Sequence, residues 1–93
     1  MRESQIEEYL VDRVKSIDGI AYKFTSPQRR NVPDRLIALM RRPMCLVELK
    51  ATGQTPTKAQ AREHTRLRER GMLVFVIDSL EGVDAFIDWA KGE

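Results

Sequence analysis

Apolar residues recur along the start of the chain at Ile6, Leu10, Val14 and Ile17, each about one helical turn from the last. Residues 3–17 therefore read as an amphipathic helix, and Gly19 suits its end. The period then changes. Residues 20–24 form a short run rich in β-formers, and residues 25–33, with two Pro, two Arg, Ser and Asn, read as a loop. Two apolar runs, 34–40 and 44–49, flank Arg41, Arg42 and Pro43, which predicts a hairpin.

A polar connection over 51–55 leads to a second helix that starts at Thr55 or Thr57 and ends at Gly71. If Thr55 caps it, Pro56 takes the first helical position. Residues 72–77 are a continuous apolar strand. Asp78 with Glu81 three residues on reads as a capping box, opening a last helix to about Ala90. Leu80, Val83, Phe86, Ile87 and Ala90 give that helix its apolar stripe. The order is α-β-β-β-α-β-α, an α/β sandwich built around a mixed sheet.

Composition narrows the picture only modestly. At 93 residues the chain predicts one domain with a small core. Its 42% hydrophobic and 32% charged residues are those of an ordinary soluble protein. The single cysteine, Cys45, excludes an intramolecular disulfide and sits in an apolar run, as a buried inert thiol would. No apolar stretch approaches the roughly 20 residues of a membrane helix, and residues 1–8 do not resemble a signal peptide. A cytoplasmic protein is expected. The net charge of +2 is compatible with a nucleic-acid partner without requiring one.

The strongest anomaly is Cys45-Leu46-Val47-Glu48-Leu49-Lys50. Strand alternation puts Glu48 and Lys50 on one face of an otherwise apolar strand, where charges are costly unless paired or used. A plain ion pair at the strand end would account for those two alone. Asp34 adds to them. Counting outward from the hairpin turn places Asp34 across from the neighbourhood of Glu48 and Lys50. Two carboxylates side by side repel each other, and a hard divalent cation such as Mg²⁺ or Mn²⁺ relieves the repulsion. Such a centre suits phosphodiester hydrolysis.

The same residues carry a family resemblance. Val32-Pro33-Asp34-Arg35 followed by Val47-Glu48-Leu49-Lys50 resembles the Pro-Asp … Glu-x-Lys pattern of the PD-(D/E)xK nuclease superfamily. The wider context is similar to its VRR-NUC branch in a small stand-alone form. It includes Glu3 to Glu7, the approach from Arg29 to Asp34, and Gln60. Asn31 departs from the Gly that usually precedes Val-Pro-Asp, although Asn tolerates a left-handed backbone.

The resemblance implies a restriction-endonuclease-like αβββαβα core and a metal-dependent DNA endonuclease. Asp34 and Glu48 would bind Mg²⁺ or Mn²⁺ with the backbone carbonyl of Leu49. Lys50 would orient or help deprotonate the attacking water. Glu3 aligns with the family's first-helix acid, with Glu7 as second choice, although acids are favoured at any helix N-terminus. Gln60 matches a site glutamine but also completes a capping box with Thr57. His64, one turn on, reads more simply as a core or rim residue.

Arg29, Arg30, Arg35, Lys58 and Arg62 are the candidate DNA contacts. Lys58, Arg62, Arg66 and Arg70 recur at i+4 spacing, which also describes a solvated helix face. No aromatic platform for single strands is evident, so recognition of backbone and shape is expected. By family analogy the active form would be a homodimer acting on four-way junctions or other branched DNA. The competing class is a binding module that keeps the nuclease fold without the chemistry. It should have lost Asp34, Glu48 or Lys50, and all three are present.

Overall fold

The computed structural model describes residues 1–92. The elements run α1 (Glu3–Ser16), β1 (Ile20–Lys23), β2 (Arg35–Ala38), β3 (Cys45–Leu49), α2 (Lys58–Glu69), β4 (Leu73–Ile77) and α3 (Leu80–Ala90). This is the predicted order. The four strands lie in the order β1-β2-β3-β4, antiparallel except for the parallel pair β3–β4. A parallel neighbour requires a crossover, and α2 supplies it.

Alternation along β3 divides the molecule. Cys45, Val47 and Leu49 join Ile6, Leu10 and Val14 of α1 and Val83, Phe86 and Ile87 of α3 in the main apolar cluster. Leu46 and Glu48, on the other face, are equally buried, as are Glu63 and His64 of α2. One face of the sheet is thus sealed by the apolar stripes of two helices. The other is partly covered by one polar helix. Outside the core, Arg13 of α1 and Tyr9 both reach Asp84 of α3, with Arg13 Nη1 and Tyr9 Oη each 2.6 Å from Asp84 Oδ1. Cys45 is buried, and burial pushes its thiol up to about 11, leaving it inert as expected.

Several local expectations are corrected. At the end of α1 the left-handed residue is Asp18 (φ 61°), not Gly19. Gly19 is needed for close approach instead, because a Cβ there would stand 2.8 Å from Val14 Cγ1. Strand β2 ends at Ala38, so the hairpin tip is wider than Arg41 to Pro43. Of the two candidate caps of α2 it is Thr57 that serves, as its Oγ1 accepts from Gln60 N at 3.1 Å. Ser79, not Asp78, caps α3, accepting from Gly82 N at 2.9 Å. Asp78 is engaged elsewhere, accepting from Gly53 N at 3.2 Å, which ties the β3–α2 connection to the end of β4.

Candidate active site

Register places the acids. Arg35 pairs with Val47, so Asp34, just before β2, comes level with Glu48. Pro33 is buried ahead of it and Asn31 takes the left-handed conformation expected of it (φ 65°), so the turn into Asp34 is firmly shaped. Asp34 Oδ2 accepts a hydrogen bond from Leu49 N at 2.8 Å, which locks the acid across the β2–β3 junction. Lys50 follows directly, its backbone N–H donating to Ile77 O at 3.0 Å. Its ammonium lies 3.9 Å from Glu48 Oε2.

Glu48 is only 2% exposed. Burial, then the neighbouring Asp34 charge and a hydrogen bond with Asp34, push its carboxyl up to about 8, while Lys50 pulls the other way. The strain falls on Glu48, and Asp34 is one of its sources. Glu3 adds to the same field, its charge also raising Glu48. Thr52 N donates to Met1 O at 3.1 Å, and this bond holds the start of α1 beside the end of β3. Glu7, one turn later, is occupied: its Oε2 accepts from Arg35 Nε at 2.8 Å and from Lys23 Nζ at 3.3 Å. Burial alone would raise Glu7, but these two cations hold its carboxyl below the ordinary value.

Gln60 takes the capping role that the sequence allowed it, and His64 is buried, as a core residue would be. The Gln60 side chain closes the capping box, its Oε1 accepting from Thr57 N at 2.9 Å. His64, one turn on, reaches the acids instead. It is 1% exposed, and its Nε2 stands 3.3 Å from Glu48 Oε1. Burial, reinforced by Arg68 and Lys50, holds its imidazole below the ordinary value, so it is neutral near pH 7. The sequence signal for His64 was its position one turn beyond Gln60 on the same helix.

The arginines also separate. Arg29 forms a forked pair with the buried Glu63, at 2.9 and 3.4 Å. Arg29, Arg30, Arg62 and Arg66 line a cleft of about 470 Å³ between the 25–33 loop and α2, with Glu63 at its wall. Lys58 is exposed at the start of α2. Arg35 points away from this surface. It is paired with Glu7 and donates to Ala21 O at 3.1 Å, on the α1 side of the sheet.

Among the described residues no three His, Cys, Asp or Glu side chains are grouped as a full protein cage for a metal would need. Mg²⁺ does not need one, since it is ordinarily held by one or two carboxylates and keeps several waters. The Asp34–Glu48 donor set, two hard oxygen ligands strained by mutual repulsion, fits such an ion.

No family model matches the sequence. Over 79 residues the chain is 54% identical to "Putative nuclease p44" of Acyrthosiphon pisum secondary endosymbiont phage 1, covering 85% of each chain. A solved structure described as a VRR_NUC domain superimposes with a TM-score of 0.85 at 34% identity, over 92% of this chain and 94% of its own.

Proposed function

Since this chain belongs to the VRR-NUC family of nuclease domains, we propose that it is a Mg²⁺- or Mn²⁺-dependent DNA endonuclease with Asp34, Glu48 and Lys50 at its centre. The observation that carries this reading is the meeting of those three side chains where β2 and β3 begin and end. Asp34 and Glu48, with the Leu49 carbonyl, would hold the ion, and Glu3 would add negative charge from α1. When bound, the ion supplies Lewis acidity at the phosphate and makes a nearby water more acidic.

The protein's own groups do the rest. Lys50 is half-buried, so its ammonium is poorly screened and acts strongly on an anion beside it. It orients the attacking water and stabilises the extra negative charge at phosphorus. Water gives up one proton as its oxygen bonds to phosphorus, one ester P–O bond breaks, and the departing oxygen takes up a proton. Gln60, at the head of α2, would have to leave the Thr57 cap to take part.

Arg30, Arg62 and Lys58 are exposed cations that suit phosphate contacts, with Arg29 beside them once it leaves or shares Glu63. Such contacts read backbone and shape, which is compatible with branched DNA as substrate. A homodimer, bringing two centres to two strands, is supported by exposed Ile20 and Tyr22 on the free edge strand β1 and by exposed Met40 and Met44 at the hairpin tip. The test compares cleavage of four-way-junction, flap and linear duplex DNA with Mg²⁺, with Mn²⁺ and with a chelator, alongside sedimentation. Metal-dependent cutting that favours branched DNA is expected. Equal cutting of linear duplex by a monomer would overturn the substrate and dimer parts.

A further inference from the structure

His64 is a buried polar group that the proposed chemistry leaves without a task. Its place is specific. Of the two Glu48 carboxylate oxygens, Oε1 faces His64 Nε2 at 3.3 Å and Oε2 lies on the Lys50 side at 3.9 Å. Asp34 is divided in the same way, with Oδ2 taken by the Leu49 N–H at 2.8 Å. On each acid, then, one oxygen faces a fixed nitrogen away from the corner, and the other lies towards the corner that Asp34, Glu48 and Lys50 share.

We propose that His64 is a positioning residue that makes Glu48 a single-oxygen ligand and so selects small octahedral cations over Ca²⁺. With Glu48 ionised, His64 Nε2–H donates to Oε1 and fixes the plane of the carboxylate. The donor comes from the middle of a helix packed on the sheet, and the imidazole has almost no room to move, being 1% exposed. Mg²⁺ and Mn²⁺ accept such one-oxygen carboxylates and fill the remaining octahedral positions with water and phosphate. Ca²⁺ is larger and takes six to eight oxygens, for which carboxylates commonly give both of theirs. Two half-occupied carboxylates are a poor offer to it. Hydrogen bonds behind a ligand typically change metal affinity by roughly 10–100-fold, so one donor is enough to matter.

His64 plays this part only if Asp34 and Glu48 hold the metal as proposed above, and the experiment separates the two. Mn²⁺ and Ca²⁺ binding are measured by calorimetry, with electron paramagnetic resonance of Mn²⁺ as a second readout, on wild type, His64→Gln and His64→Met. Circular dichroism and thermal melts report folding. His64→Gln keeps an N–H donor of similar reach, whereas His64→Met keeps an adaptable apolar volume without the donor. The expected result is Mn²⁺ affinity about tenfold weaker in His64→Met, with Ca²⁺ affected less and the Mn²⁺ preference narrowed. His64→Gln should stay within about threefold of wild type, a small part of the range seen for such donors. Should His64→Met fail to fold, His64→Asn, whose amide is too short to reach Glu48, takes its place with the same expectation.

An unchanged Mn²⁺-to-Ca²⁺ ratio in the folded donor-free variant overturns the role. So does a His64→Gln variant as weak as His64→Met. Wild-type protein that takes up no Mn²⁺ overturns the metal-dependent reading as well.

Discussion

The two faces of strand β3 are equally buried and chemically opposite. Val47 and Leu49 point into an apolar cluster closed by α1 and α3, with the Arg35–Glu7 ion pair at its edge. Glu48, between them in sequence, points to the α2 side and meets Asp34, Lys50 and His64. Burial on the first face stabilises the fold. Burial on the second face costs stability, because it holds charged groups out of water until something neutralises them. The molecule uses its sealed face to hold its strained one in place.

Truncation on the sealed face should give the largest stability effect. Leu49→Ala leaves a cavity among α1, α3 and β4, and such changes typically cost about 2–5 kcal/mol. In a domain of this size that is a fall in Tm of roughly 10 °C or more by thermal melting. A fall of only one or two degrees would show that this seam is not the main source of stability.

The strained face should respond in the opposite direction. Folding raises the Glu48 carboxyl from 4.5 to about 8, so its contribution is fully present below pH 4.5 and is lost as pH rises towards 8. His64 works against this at the acid end. Its imidazole is lowered from 6.5, so its contribution is present above that value and lost as pH falls through the folded value. Metal-free wild type should therefore lose Tm between about pH 7 and pH 8.5, where only the Glu48 effect operates. Glu48→Gln, with no charge to bury, should melt several degrees higher than wild type at pH 8.5, roughly what 1 kcal/mol gives in so small a domain. Saturating Mg²⁺ should narrow that gap by stabilising wild type. A lower Tm for Glu48→Gln would contradict the idea that this acid is strained.

The smallest effect belongs to the exposed cations on the rim of the α2 side. Arg62→Ala should leave folding intact and weaken DNA binding similarly across sequences. The slope of log affinity against log salt should fall by about one. An unchanged slope removes Arg62 from the interface.

Much of this contrast could be read from the sequence, because both faces obey period-two alternation. The hairpin signal around Arg41 and Arg42 was enough to bring Asp34 to the neighbourhood of Glu48 and Lys50, and the register of the strands sets it level with Glu48. The same alternation, applied one residue further, would have turned Arg35 to the α1 side, where Glu7 holds it. Pairings between distant segments were not legible. Nothing local distinguishes the Glu63 that holds Arg29 from the other acids of the chain, or says that His64 rather than Gln60 reaches Glu48. Ser79 displaced Asp78 as the α3 cap because Asp78 was drawn to Gly53 across a gap of 25 residues, beyond any local pattern.

Whether Asp34, Glu48 and Lys50 form the cleaving centre is tested most directly by DNA cleavage in saturating Mg²⁺ with wild type, Asp34→Asn and Lys50→Ala. Asp34→Asn keeps an oxygen for the Leu49 N–H, so loss of activity cannot be blamed on an open strand pair. Both variants should remain folded and lose on the order of 10²–10³-fold or more in rate, the loss typical of removing a charge-stabilising group from an active site. Activity within tenfold of wild type in either folded variant would contradict the account.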